Sequence, residues 1–107
     1  MIHAKKVSLE YFEAELKGDK TFELRHEDPD EPAYAVGDYL ALNECEDGKH
    51  SETPRFTGRC LLYRITYVLR GHRLLAPGAV ALGLRLMPLS AEDLPALKAA
   101  ALLPRWQ

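Results

Sequence analysis

Gly18-Asp19-Lys20-Thr21-Phe22-Glu23-Leu24-Arg25 is the stretch on which the reading of this chain turns, because a helix must end on one side of it and a strand begin on the other. Upstream, Leu9, Phe12 and Leu16 recur at helical spacing, Ser8 occupies the N-cap position, and Glu10 and Glu13 lie where the macrodipole favours acids. The helix is expected to stop at Gly18, the residue type best suited to the left-handed C′ position. Downstream, Lys20 to His26 reads as a strand with Phe22 and Leu24 on one face and Thr21, Glu23 and Arg25 on the other. Glu23 and Arg25 then point the same way, about 7 Å apart along the chain, within reach of a carboxylate–guanidinium contact. Lys20 sits at the junction, where either direction is open to it.

Working outward, residues 2–7 read as a short strand. The segment Glu27-Asp28-Pro29-Asp30-Glu31-Pro32-Ala33 holds two prolines and four acids, which excludes a central strand and predicts a solvated loop. Gly37-Asp38 is a turn signal before a strand from Tyr39 to Cys45, and a polar loop follows over 46–56. From Thr57 to Leu69 the chain is strongly β. This is long for one strand, so a bend or bulge is expected near Gly58 or Arg64. Ala79 to Met87 reads as the last strand. Ser90 and Asp93 have capping-box-like spacing ahead of Leu94, Leu97 and Ala101 at helical period, with Pro95 in the first turn. The order β-α-β-β-β-β-α predicts an α+β domain in which a mostly antiparallel sheet curls into a barrel flanked by helices. Residues 1–88 form the barrel domain, and 89–107 a helical tail packed on it.

With 107 residues, 47% apolar and 28% charged, the chain suits one globular core and is too apolar for disorder. Its longest apolar runs fall well short of the roughly 20 residues that span a bilayer, and the N-terminus lacks the apolar core of a secretory signal. A soluble cytoplasmic protein with no membrane partner is expected. Cys45 and Cys60 read as reduced thiols packed in strands. Without a CxxC pair, and with His3, His26, His50 and His72 scattered, no metal or cofactor is expected. Residues 1–52 carry six Lys+Arg against fourteen Asp+Glu, whereas 53–91 carry six arginines and no acid. This asymmetry is compatible either with a basic face that meets phosphates or with arginines serving solubility on exposed strands.

Gly18, Lys20, Glu23 and Arg25 reproduce the G-x-K-x-x-E-x-R signature of ASCH domains, which are similar in fold to PUA RNA-binding domains. Further pieces resemble the small single-domain branch catalogued as domain of unknown function 3850, over roughly residues 2–84: His3 with Lys5-Lys6, Tyr11-Phe12-Glu13, Val36-Gly37-Asp38, Thr57-Gly58-Arg59, Ile65 to Leu69, and Val80 to Gly83. The acidic loop at 27–35 is longer than that pattern, and the segment after residue 88 is an addition to it.

The resemblance implies a PUA-like barrel and a cleft between helix and barrel, lined by Lys20, Glu23 and Arg25, that binds RNA or a nucleotide-like ligand. Lys20 and Arg25 would neutralise phosphate, and Glu23 would accept from an exocyclic amine or hold Arg25. Arg59 and Arg64 are candidate outer phosphate contacts, and Tyr39, Tyr63 or Tyr67 candidate stacking platforms. The bland reading of Lys20, Glu23 and Arg25 is a solvated ion-pair cluster, and of the tyrosines half-buried packing.

A second reading is catalytic. Some proteins similar in fold are amidohydrolases on acylated cytidine, using a Lys, a Thr and a distant Glu. Here Glu23 stands where their threonine does, with Thr21 two residues away, and a carboxylate beside a lysine opposes the lowered pKa that a Lys base or nucleophile needs. The catalytic candidates are Lys20 and Glu23, with Glu44 as a second acid/base partner. A third reading is a protein-interaction module, monomer or weak homodimer, with Leu94, Leu97, Leu102 and Leu103 of the tail as a dimer face. His3 and His26 are candidate borders of the cleft.

Overall fold

Strand β1 (Ile2–Ser8) runs without a loop into helix α1 (Leu9–Leu16). Ser8 keeps extended dihedrals at the junction, and its hydroxyl makes no capping bond. The computed structural model describes residues 1–46 and 53–88. The helix expected after residue 88, with its leucines, and the middle of the polar loop at 47–52 lie outside the described residues.

Gly18 ends the helix as its position requires, at φ +82. Its amide donates to Glu15 O, and those of Asp19 and Lys20 both donate to Ala14 O. The chain is thereby folded back under the last helical turn before β2 (Phe22–His26) begins. Strands β3 (Tyr39–Cys45), β4 (Phe56–Arg70) and β5 (Ala79–Leu86) follow.

These five strands form one sheet in the order β1-β3-β4-β5-β2. Only β1 and β3 pair in parallel; the other three pairings are antiparallel. The sheet curls into a half-barrel whose two edge strands, β1 and β2, face one another across an open seam. Arg25 on β2 spans that seam by donating to the Lys6 carbonyl on β1. A side chain thus stands in for the missing ladder.

Alternation places Leu40 and Leu42 of β3, Ile65 of β4, and Val80 and Leu82 of β5 in the core, with Phe12 of α1 laid over them. Burying each such side chain is worth about 1.5–3 kcal/mol. The length of β4 is accommodated by two irregularities, one opposite Asn43/Cys45 and one between Ile65 and Tyr67. The first lies beside Gly58, which takes φ +93.

Two expectations change. The helix does not bury its Leu9–Phe12–Leu16 stripe: Phe12 and Glu15 are buried, and Leu9 and Leu16 are exposed. The acidic loop after β2 is not merely solvated, because Tyr34 plugs into the core. Arg70 fastens that loop from outside through Glu27 and the Tyr34 carbonyl. A buried ring supplies what its prolines and acids cannot.

Candidate functional site

β2 is built inside out. Phe22 and Leu24 are 49% and 53% exposed, while Glu23 between them is 3% exposed. An edge strand that turns a carboxylate inward and two apolar side chains outward runs against burial free energy. The arrangement holds because the inward face meets Lys20 and the helix rather than the apolar core.

Lys20 turns inward, which settles its direction. The backfolded loop aims its ammonium at Glu15 Oε1 (2.9 Å), Glu23 Oε1 (2.6 Å) and the Phe22 carbonyl (2.6 Å). All three of its N–H donors are thereby engaged. The same ammonium lies 5.6 Å from the Tyr11 ring centre and 5.0 Å from that of Phe22, within cation–π range of both. Arg25 Nε donates to Glu23 Oε2 at 2.7 Å and Nη2 to Lys6 O at 2.9 Å. Two of its five donors are used, and among the described residues the other three have no protein partner.

Glu15 and Glu23 share Lys20 and are both buried. Burial pushes Glu15 up to about 8, helped by the hydrogen bond and charge of Glu23. Burial works to raise Glu23 as well, but its hydrogen bond with Glu15 and the charges of Arg25 and Lys20 bring it below the usual carboxylate range. The two shifts run in opposite directions, so a proton shared by the pair sits on the Glu15 side. Glu15 Oε2 is buried with no hydrogen-bond partner, a setting that disfavours the charged carboxylate. Behind Glu15, the buried Tyr63 hydroxyl donates to its backbone carbonyl at 3.3 Å. Burial, followed by the charges of Glu15 and Glu23, pushes that hydroxyl's pKa up.

Lys20, Glu23 and Arg25 floor a cleft of about 310 Å³ at the seam, lined also by Val7 of β1, Tyr11 of α1, and Phe22 and Leu24 of β2. Apolar and aromatic groups wall a small set of convergent charges, the usual make-up of a small-ligand site. Lys20, Glu23 and Arg25 are thus brought together as expected from the sequence. Three participants were missed. Tyr11 and Phe22 wall the cleft, and Glu15 is the acid behind Lys20. The available signal for Glu15 was its spacing, three residues after Phe12 on the face that turns inward.

Arg59, Arg64 and Glu44 do not line the cleft. Arg59 lies 4.6 Å from the Phe12 ring centre and binds Glu44 through Nε (2.7 Å) and Nη2 (2.6 Å), and Glu13 (2.6 Å). It fastens α1 to the sheet. Glu44 also accepts from Thr57 at 2.6 Å, and the Arg59 hydrogen bond above all holds it below the usual carboxylate range. Arg64 lies against the Tyr39 ring. Of the other tyrosines considered for stacking, Tyr63 is buried in the core and Tyr67 is exposed on β4, outside the cleft lining. His3 is buried against Tyr34 and pairs with Asp38 at 2.8 Å, and His26 lies beside Gly78 at the far end of β2. Among the described residues no cluster of His, Cys, Asp or Glu is arranged to hold a metal ion, and no helix is long and apolar enough to cross a membrane.

A family model described as domain of unknown function (DUF3850) matches residues 2–84. No curated protein matches the chain.

Proposed function

Because the chain belongs to the DUF3850 family, whose description leaves the activity open, we propose from the site itself that the seam cleft binds one unpaired nucleotide, of RNA or of a nucleotide-like ligand. The observation that carries this reading is the inside-out strand. Phe22 and Tyr11 stand half exposed next to Lys20, where an exposed ring face can take a base, and the floor beside them is charged. Arg25 supplies the phosphate-facing donors, and Glu23 fixes the plane of its guanidinium. A volume of about 310 Å³ suits a single nucleotide and is far too small for a duplex. A base splayed out of a strand and stacked on aromatic side chains is the usual mode of single-strand recognition.

The fold reading that goes with this is PUA-like, of the ASCH type. It is supported by the curled half-barrel, by the helix set between β1 and β2, and by the position of the Gly18–Arg25 motif at the seam. In this reading Lys20 is a clamp rather than a ligand contact, since its three donors are spent within the protein. The same saturation, with a carboxylate on two sides, argues against Lys20 as a nucleophile or base.

The test is a fluorescence titration with a five-nucleotide single-stranded RNA. Wild type should bind saturably, and Phe22→Ala should lose roughly 5- to 150-fold in affinity, the worth of one base stack. Equal affinity for the two proteins removes Phe22 from the site, and preference for the duplex form of the same sequence removes the unpaired nucleotide.

A further inference from the structure

We propose that Glu15, a residue behind the cleft rather than in its wall, sets the charge the cleft accepts: as the neutral partner of Glu23 it leaves the floor one positive charge in excess, so that the cleft takes a monoanionic phosphodiester and releases it when Glu15 ionises. The inference rests on the nucleotide reading above and deepens it, from a nucleotide in general to an internal nucleotide of a strand.

Geometry supplies the first support. Lys20 and Arg25 both reach Glu23, and Lys20 alone reaches Glu15. The floor therefore holds two cations and one anion as long as Glu15 keeps its proton, and it is neutral once that proton leaves. Glu15 Oε2 is buried with no donor to it. An ionised carboxylate would leave a charged oxygen buried and unsatisfied there, a cost that the neutral acid avoids. Burial together with Glu23 pushes Glu15 up to about 8, which places the loss of the proton just above neutral pH.

Among the described residues no further charged group is shown facing Glu15. The groups facing Glu15 are Lys20 from the loop, Glu23 from β2 and the hydroxyl of Tyr63 from β4. Arg25 acts on it through Glu23. On the neighbouring β3, the acid Glu44 is taken by Arg59 and Thr57, and β1 contributes the apolar Val7 to the cleft. Among the cations lining the cleft in the described residues, Arg25 alone has donors to spare, so one phosphate is held by one guanidinium. A phosphodiester carries one negative charge and would neutralise the floor. A terminal phosphate carries about −1.5 to −2 at neutral pH and would leave the partly buried site with excess negative charge.

Glu15 is thus a positioning residue, and the test needs a readout that a purely structural role would not move. The dinucleotide ApA and the mononucleotide AMP, whose bases do not ionise between pH 6 and 9.5, are titrated into wild type and Glu15→Gln. At pH 7 wild type should bind ApA several-fold more tightly than AMP. Its ApA affinity should be level below about pH 7 and fall by up to tenfold per pH unit above about 8, as one proton is lost from the binding form. Glu15→Gln, which keeps the neutral group and its shape, should retain the pH 7 affinity and lose the alkaline fall. Tighter binding of AMP, or an identical alkaline fall in the variant, overturns the inference. The Glu15 carboxyl carbon is followed by NMR in the same samples. Titration near 4.5 overturns the inference whatever binds. Titration near 8 with no ApA or AMP bound at any pH overturns instead the nucleotide reading on which it rests.

Discussion

Replacing Lys20 by methionine removes the one cation shared by both buried carboxylates while keeping a chain of similar length across the Tyr11 and Phe22 rings. In the folded protein Lys20, Glu15 and Glu23 have side-chain exposures of 16%, 0% and 4%, so the ammonium is not a surface charge screened by water. Deleting one partner of a buried pair costs about 3–5 kcal/mol. Two features place Lys20→Met near the lower end of that range. Arg25 still reaches Glu23 at 2.7 Å, and Glu15 can remain neutral without the ammonium. A loss of about 3 kcal/mol in a domain of this size lowers the midpoint of thermal unfolding by about 12–24 °C. The loss should also depend on pH. Glu23 is held below its ordinary value in the folded state, so its contribution is present above the unfolded pKa and disappears as pH falls through the folded one. Part of that depression comes from Lys20, so the gap between wild type and variant should narrow between pH 7 and pH 4. Urea unfolding at the two pH values measures this. A loss under about 1 kcal/mol at pH 7, or the same loss at both pH values, would refute the view of Lys20 as the clamp of a buried carboxylate pair.

The remaining expectations follow from the same geometry. Burial and the neighbouring Glu23 push Glu15 up to about 8 from an ordinary 4.5. Its stabilising contribution is therefore full below 4.5 and is lost as pH rises through 8, by a few kcal/mol. Glu15→Gln should remove that decline from the stability profile measured between pH 5 and 9. Gly18→Ala should cost about 1 kcal/mol in chemical denaturation, from backbone strain alone, because φ is +82 and no atom lies within 4 Å of an added Cβ. Phe22→Ala should change stability by less than about 1 kcal/mol, since the ring is half exposed on an edge strand, while weakening RNA binding. A variant equally impaired in both would point to a packing role. Oligonucleotide affinity should fall with salt at a log–log slope near −0.7, that of one phosphate neutralised on a single strand; a slope of several units would point to the wider arginine surface.

Much of this architecture was legible in the sequence because local signals and tertiary packing agree. Gly18 has to end the helix, and Tyr39 to Cys45 is a strand that the fold buries from Leu40 onward. Val80, Leu82 and Leu84 alternate as a half-buried strand should. The split of β2 into an apolar and a charged face was equally plain, but which face turns inward was not. Periodicity fixes which residues share a face, whereas a charged face turns inward only if partners from elsewhere await it. Those partners are Lys20, aimed by a backfolded loop, and Glu15 on α1. Glu15 itself was hidden by the competing Leu9–Phe12–Leu16 stripe, because a short helix resting on an open seam buries less than a full amphipathic face. Tyr34 was hidden by the acids and prolines around it. The arginines considered as phosphate contacts are engaged nearer home, Arg59 by Glu13 and Glu44 and Arg64 by Tyr39, pairings separated by up to 46 residues that no local pattern announces.

If a ligand enters the seam between β1 and β2, amide chemical-shift mapping will locate it there. Labelled protein titrated with the five-nucleotide RNA should show saturable shifts at Val7, Tyr11 and Lys20 to Arg25, with Arg59 and Arg64 unmoved. Shifts centred on those arginines, with the seam silent, would contradict entry at the seam.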